Sequence, residues 1–347
     1  EGLRAFLTIV GTELDTHLRV ELGPDVGKVV GAGPIPERGP DEDLELDLGP
    51  FDVVNLETEG LGSDFTGTRI DASRPVSVFV GSEASDVPIF DRYSTRQCCA
   101  DHLEEQLFPD ATLGKYYLIA RMAPRTRALN ESFIDSSSVA EVDEPEWVRL
   151  VAAAEGDTIV STTLPPPDDL LVLAERQSAI LEADRDFVIS SDKPLAVLQA
   201  LPSQEVVGIP KELPGGDPSI IAVPPIEQYR DTYVFLTPDK YAFDFITVVA
   251  ESGTRVLLDG EGLTEHCTSI EVAGGGEDES SRDYLVYRCQ LSFPEVTRSP
   301  VTDIREGTQS DGVHSISADR PVGLIVYGFD RFVSYAYAGG LDLKLLY

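Results

Sequence analysis

Apolar and polar residues alternate at period two along most of this chain, in short runs separated by clusters of Gly, Pro, Asp and Ser, the pattern of half-buried strands. Residues 265–273 (EHCTSIEVA) and 283–291 (DYLVYRCQL) alternate in this way on either side of GGGEDESSR, a glycine and acid tract suited to a loop tip, and predict an antiparallel pair. A turn centred on Asp278 sets Ile270 opposite Val286, Val272 opposite Tyr284 and Cys267 opposite Cys289. A bridge between those cysteines is therefore expected. On a loop of that length it adds about 3 kcal/mol by constraining the unfolded chain. Such bridges persist in oxidising compartments, so the pairing also predicts an extracellular or cell-surface location.

The runs repeat on a larger scale. Three segments share a small or acidic residue, a basic residue, proline and an apolar run: DASRPVSVFVG (71–81), SSDKPLAVLQA (190–200) and SADRPVGLIVYG (317–328). Proline opens these strands without loss because it need not donate to the ladder there. Upstream of each copy come two apolar runs joined by a turn, at 6–22, 148–162 and 245–260, each expected to be a hairpin. FPDATLGKYYLIA from 108 aligns without gaps on PPIEQYRDTYVFL from 224, so that Pro109 matches Pro225 and Tyr117 matches Tyr233. The shared prolines lie at 75, 194 and 321, a spacing too long for a solenoid repeat and suited to one sandwich domain each. The expected fold is all-β, with three tandem β-sandwich-like modules at 1–107, 108–212 and 213–347. The last of these carries an extra C-terminal strand.

The first module has no counterpart of KYYLIA or TYVFLTP ahead of Leu3. Either its opening strand was lost with a trimmed N-terminus, the favoured reading, or the tail FVSYAYAGGLDLKLLY (332–347) returns to fill the gap. One short helix is expected at about 99–108, where Asp101 suits an N-cap and Glu104 supplies the capping-box acid. The stretch 168–187 carries helix formers but follows three prolines and stands where the other copies have strands, so it is read as β. GGDPS (215–219) is read as a turn entering a strand at 220–223.

Composition changes the picture mainly through charge. Of 347 residues, 27 are Lys or Arg and 61 are Asp or Glu, a net charge of −34. That field disfavours nucleic acid and anionic membrane as partners. No apolar run of about twenty residues predicts a spanning helix.

Candidate chemistry is sparse. Cys98, Cys99, Asp101 and His102 stand within five residues, but adjacent cysteines do not offer the spaced pair that tetrahedral zinc wants. Cys98 and Cys99 are expected to bridge each other or to pair with another chain. Acidic runs at 41–47 and 277–279 make calcium the one ion the composition leaves open, although neither has the spacing of a calcium loop, and no other cofactor is implied. His17, His102, His266 and His314 have no nucleophile motif beside them, and no glycine-rich phosphate cradle opens a helix. The expectation is a protein that is not an enzyme.

Three segments, CCADHLEEQLFPDATLGKYYLIA (98–120), GDPSIIAVPPIEQYRDTYVFLTP (216–238) and SYAYAGGLDLKLL (334–346), resemble the N-terminal domain of the IgGFc-binding protein family. The resemblance covers nearly the whole chain. It implies a secreted or surface-anchored β-rich module that binds or adheres rather than catalyses. Lysine supplies only six of the 27 basic residues, which suits a bacterial member. The family signature falls on Asp101, His102, Glu105, Gln106, Glu227, Gln228 and Tyr229. These residues are expected either to tie one module to the next or to contact the ligand, the first being favoured. The resemblance thus implies an extracellular recognition or adhesion module for a surface protein or polysaccharide. The alternatives are a self-associating subunit of an extracellular filament or layer and, remotely, a secreted hydrolase.

Overall fold

A computed structural model describes residues 3–90, 92–135, 139–263, 267–274, 282–298 and 302–347. Among them are 25 strands and one α-helix, an all-β architecture of related sandwiches. His266, the acidic tract 277–279 and the turn around Asp278 lie outside the described residues.

The first module contains β1 (Ala5–Gly11), β2 (Thr16–Glu21), β3 (Asp43–Leu48), β4 (Val53–Glu57), β5 (Arg69–Ala72), β6 (Val76–Ser85) and β7 (Asp101–Gln106). One sheet runs β4-β1-β6-β7 and faces a second, β3-β2-β5. The second module adds an opening strand, β8 (Tyr116–Ile119), then helix α1 (Arg125–Ser132), β9 (Glu146–Ala152), β10 (Thr158–Thr162), β11 (Leu170–Leu173), β12 (Ser178–Ala183), β13 (Phe187–Ser191), β14 (Leu195–Leu201) and β15 (Ser219–Ala222). Its sheets run β12-β9-β14-β15 and β11-β10-β13-β8. The third has β16 (Arg230–Thr237), β17 (Phe243–Glu251), β18 (Val256–Leu258), β19 (Glu261–Gly262), β20 (Cys267–Val272), β21 (Tyr284–Gln290), the hairpin β22 (Phe293–Thr297) and β23 (Asp303–Thr308), β24 (Gly312–Asp330) and β25 (Val333–Ala338). Here the two strands that flank the shared proline fuse into the 19-residue β24. Its first half pairs with β16 and β18, and its second half with β17 and β25.

The shared motif has a local cause. Ser73, Asp192 and Asp319 occupy equivalent positions, and the side-chain oxygen of each accepts a backbone N–H from the facing strand end: His17 at 2.8 Å, Ile159 at 2.8 Å and Arg255 at 3.0 Å. Each also donates its own N–H to the carbonyl of that same residue. The short polar side chain therefore extends the ladder by one rung before proline turns the chain into the other sheet.

Three expectations need correction, and the less favoured place for the tail falls away. The paired runs at 6–22 and 148–162 are not hairpins: β1 bonds β4 and β6 while β2 bonds β3 and β5, and β9 and β10 likewise separate. In the third copy β17 and β18 also pair with β24 and not with each other. These turns cross between stacked sheets, and an arch gives the same alternation as a hairpin because both place apolar positions on one shared core. Residues 99–108 form no helix. Asp101–Gln106 is β7, paired to β6 from Phe79↔Gln106 onward, so the ladder offered by β6 overrides the capping-box pattern. The one α-helix lies instead at Arg125–Ser132, between β8 and β9. The tail does not complete module 1, since β25 pairs with β24. Finally, β15 bonds β14, so by strand pairing the second module runs past 212 to the end of β15.

Modules 2 and 3 share continuous cores. Leu129 of α1, Ile209 and Ile221 pack with Phe243, Phe245 and Phe329, and Leu118 and Val188 pack with Val249 and Val286. Module 1 keeps its own cluster around Leu7, Ile9, Leu18 and Val20. It meets module 2 through guanidinium groups. Arg149 bonds Asp64 at 2.6 Å, and Arg176 bonds Glu21 at 2.5 Å and the carbonyls of Gly67 and Leu22.

Candidate recognition site

The signature residues gather where one module hands the chain to the next. Gln228 is fully buried in the turn after β15. Its amide N–H donates to the carbonyls of Thr112 and Lys344, both at 2.8 Å, and its side-chain oxygen accepts the Lys344 N–H at 2.9 Å. One side chain thus ties the linker between modules 1 and 2 to the C-terminal tail. Glu227 accepts the N–H of Lys115 at 2.9 Å at the entry to β8. The Tyr229 ring lies on the backbone at Gly323, where a Cβ would stand 2.5 Å from the ring, so only glycine admits it. Glu105 reaches from β7 to accept the Ala222 N–H of β15 at 3.1 Å, and burial pushes its carboxyl up to about 7. Gln106 closes the ladder opposite Phe79. The Oδ1 of Asp101 accepts the N–H of His102, whose ring stacks on Phe6 at 5.4 Å with Glu104 at 3.5 Å. Of the seven, His102 and Gln106 stand exposed.

The cysteines form two intrachain bridges, and none of the four is free. Cys267 faces Cys289 in the register Ile270↔Val286 and Val272↔Tyr284. Cys98 and Cys99 bridge each other in a loop docked on module 2: the Cys98 N–H donates to Glu205 at 2.6 Å and the Ser203 hydroxyl to the Cys99 carbonyl at 2.8 Å.

Buried acids form the electrostatic core of the junctions. Burial raises Glu146 to about 7 even though it accepts the Met122 N–H at 2.8 Å and an N–H of Gln199. Asp217, of the GGDPS turn entering β15, rises to about 7 through burial and the nearby charge of Asp101, while Ser334 bonds its backbone. Asp244 rises to about 6 through burial, held by the Tyr335 hydroxyl at 2.6 Å. Among the described residues, no three His, Cys, Asp or Glu side chains gather as a metal site would require. His314 sets one ring nitrogen against Asp259 at 2.7 Å and the other against the Ser310 carbonyl at 2.9 Å, so both nitrogens face acceptors and no nucleophilic hydroxyl stands between them.

The surface offers a different feature, which the sequence pattern did not single out. At one end of module 1 the turn 12–15 lies beside the turn 49–52, joined by the Phe51 N–H to the Gly11 carbonyl at 2.8 Å and the Gly11 N–H to the Asp52 carbonyl at 3.0 Å. On this tip Phe51 is 88% exposed, Leu14 71% and Val53 61%. Phe51 has φ of +67°, a backbone state that a bulky residue adopts only under strain. The available signal was GPFD itself, a phenylalanine where turn chemistry calls for a small or polar residue.

Stacked sheets joined by buried junctions define a multi-module β-sandwich protein. The sequence profile of the IgGFc-binding protein family matches residues 1–328, and the chain belongs to that family. No curated protein and no solved structure matches it.

Proposed function

We propose that the chain is an extracellular, non-catalytic recognition module at a cell surface, and that the apolar tip of module 1 contacts a protein partner. The tip carries this reading: Phe51, held in a strained backbone state almost wholly in water, stands with exposed Leu14 and Val53 as an apolar patch that a partner would cover. Membership of a family named for binding an immunoglobulin constant region supports a protein ligand. A surface polysaccharide is the narrower alternative for an adhesion role, and the bridged cysteines suit an oxidising compartment. The signature residues belong to the junctions on this reading, because Glu105, Glu227 and Gln228 bond distant segments and Tyr229 packs on the backbone at Gly323.

The test is direct binding of the purified chain, by biolayer interferometry, to immunoglobulin G Fc and to panels of extracellular proteins and glycans. A ligand whose affinity drops at least tenfold with Phe51→Ser, at unchanged Tm, is expected. No ligand in any panel, together with concentration-dependent polymerisation, would favour the filament subunit instead.

A further inference from the structure

Burial treats the two disulfide bridges differently. Cys289 is 1% exposed in a core with Ile246 and Val326, whereas Cys98 and Cys99 are both only half-buried. We infer that the bridge between Cys98 and Cys99 is a redox latch: a dithiol reductant opens it selectively, and the opened pair lets the segment that enters β7 leave module 2.

As a staple for the fold this bridge does little. It joins adjacent residues, so it constrains the unfolded chain far less than the bridge from Cys267 to Cys289, which spans 22 residues. What it shapes is local. The Cys98 N–H donates to the Glu205 carboxylate at 2.6 Å, the Glu205 N–H donates to the Cys98 carbonyl at 3.3 Å, and the Ser203 hydroxyl donates to the Cys99 carbonyl at 2.8 Å. Two successive carbonyls thus meet one turn of module 2. An unbridged extended pair turns its carbonyls to opposite sides, so only one of them can stay docked. The receiving turn is anchored independently, since the buried Gln204 side chain donates to the Pro210 carbonyl at 2.8 Å.

Selectivity follows from the chemistry of exchange. One thiolate of the dithiol attacks a half-buried sulfur of the pair, the S–S bond breaks, and the second thiol resolves the mixed disulfide. The dithiol leaves as its own disulfide, and two electrons and two protons end on Cys98 and Cys99 as thiols. At the other bridge the Cys289 sulfur is closed to attack, and attack at Cys267 has to expel a Cys289 thiolate into an apolar core, which burial disfavours. Closing the latch again is local as well, because neighbouring thiols cannot diffuse apart.

The test treats the full chain with dithiothreitol under native conditions, traps new thiols with N-ethylmaleimide and locates them by peptide mass spectrometry. Cys98 and Cys99 should open at least tenfold faster than Cys267 and Cys289. Once only the first pair is open, hydrogen exchange should quicken at least tenfold at the Cys98 and Glu205 amides and stay unchanged at Val286 in β21, while Tm falls by less than about 2 °C. By linkage, a dock that favours the bridged form makes it harder to reduce. In buffers of reduced and oxidised dithiothreitol, Glu205→Ala should therefore lower the ratio at which the Cys98 and Cys99 pair is half reduced at least threefold. The variant with Cys98→Ser and Cys99→Ser should show the fast exchange with no reductant present. Equal rates at the two bridges, unchanged exchange at Cys98 and Glu205, an unchanged ratio in Glu205→Ala, or a collapse of Tm would each overturn the proposal. None of these outcomes bears on recognition by the Phe51 tip.

Discussion

At the residue scale, position and partners separate the signature side chains from the surface ones. Gln228 makes three buried hydrogen bonds, and alanine there leaves two carbonyls and one N–H without their partner. A loss of about 2–3 kcal/mol in urea unfolding is expected for Gln228→Ala, against less than about 0.5 for Glu104→Ala, which is exposed. Phe51 behaves in the opposite way. Phe51→Gly relieves the left-handed strain and should raise stability by about 1 kcal/mol while removing the exposed ring, so thermal unfolding and ligand binding move in opposite directions. Removing the long-range bridge with Cys267→Ser and Cys289→Ser should cost about 2–4 kcal/mol by denaturant titration under oxidising conditions. The cysteine register was legible in the sequence because strand alternation is a local rule. The exposure of Phe51 was not, because it depends on two turns meeting at one end of a sandwich.

At the element scale, the opening strands and their tyrosines are the clearest repeat. Tyr117→Phe and Tyr233→Phe each delete one hydroxyl that bridges an upstream N–H and the carbonyl just after the shared proline, so each should cost about 1 kcal/mol. Equal losses, measured by chemical denaturation, would show that the two modules use the tyrosine in the same way. The strand content, the triplication and the entry of β15 after GGDPS were readable from period-two alternation and from the spacing of Pro75, Pro194 and Pro321. Two things escaped. The capping-box pattern at Asp101 and Glu104 describes a local preference, and β6 outcompeted it by offering a ladder that lies far away in sequence. The arches were taken for hairpins because alternation records which side of a strand faces the core, not which sheet the strand joins.

For the whole molecule, the buried acids set the pH response. Glu105, Glu146 and Asp217 titrate near 7 and Asp244 near 6 in the folded chain, against ordinary values of 4.5 for Glu and 3.8 for Asp. Between about pH 4 and 7 the folded state therefore holds more protons than the unfolded state, and stability falls as pH rises through that window. Tm is expected to be higher at pH 5 than at pH 8. Protonation also relieves repulsion within a chain of net charge −34, which has the same sign. Glu146→Gln separates the two, since it should shrink the difference between pH 5 and pH 8 while barely changing the total charge.

The sequence by itself determined the all-β class, the three related copies, the Cys267 to Cys289 register and the family, because alternation, spacing and motif are properties of neighbouring or evenly spaced residues. Only the tertiary structure decided that paired runs arch between sheets, that residues 101–106 are a strand, that the tail belongs to module 3, and that Gln228 ties a linker to that tail. It also revealed the apolar tip at Phe51. Each of these depends on which distant segments come to share a core or a ladder, and burial is decided there rather than along the chain.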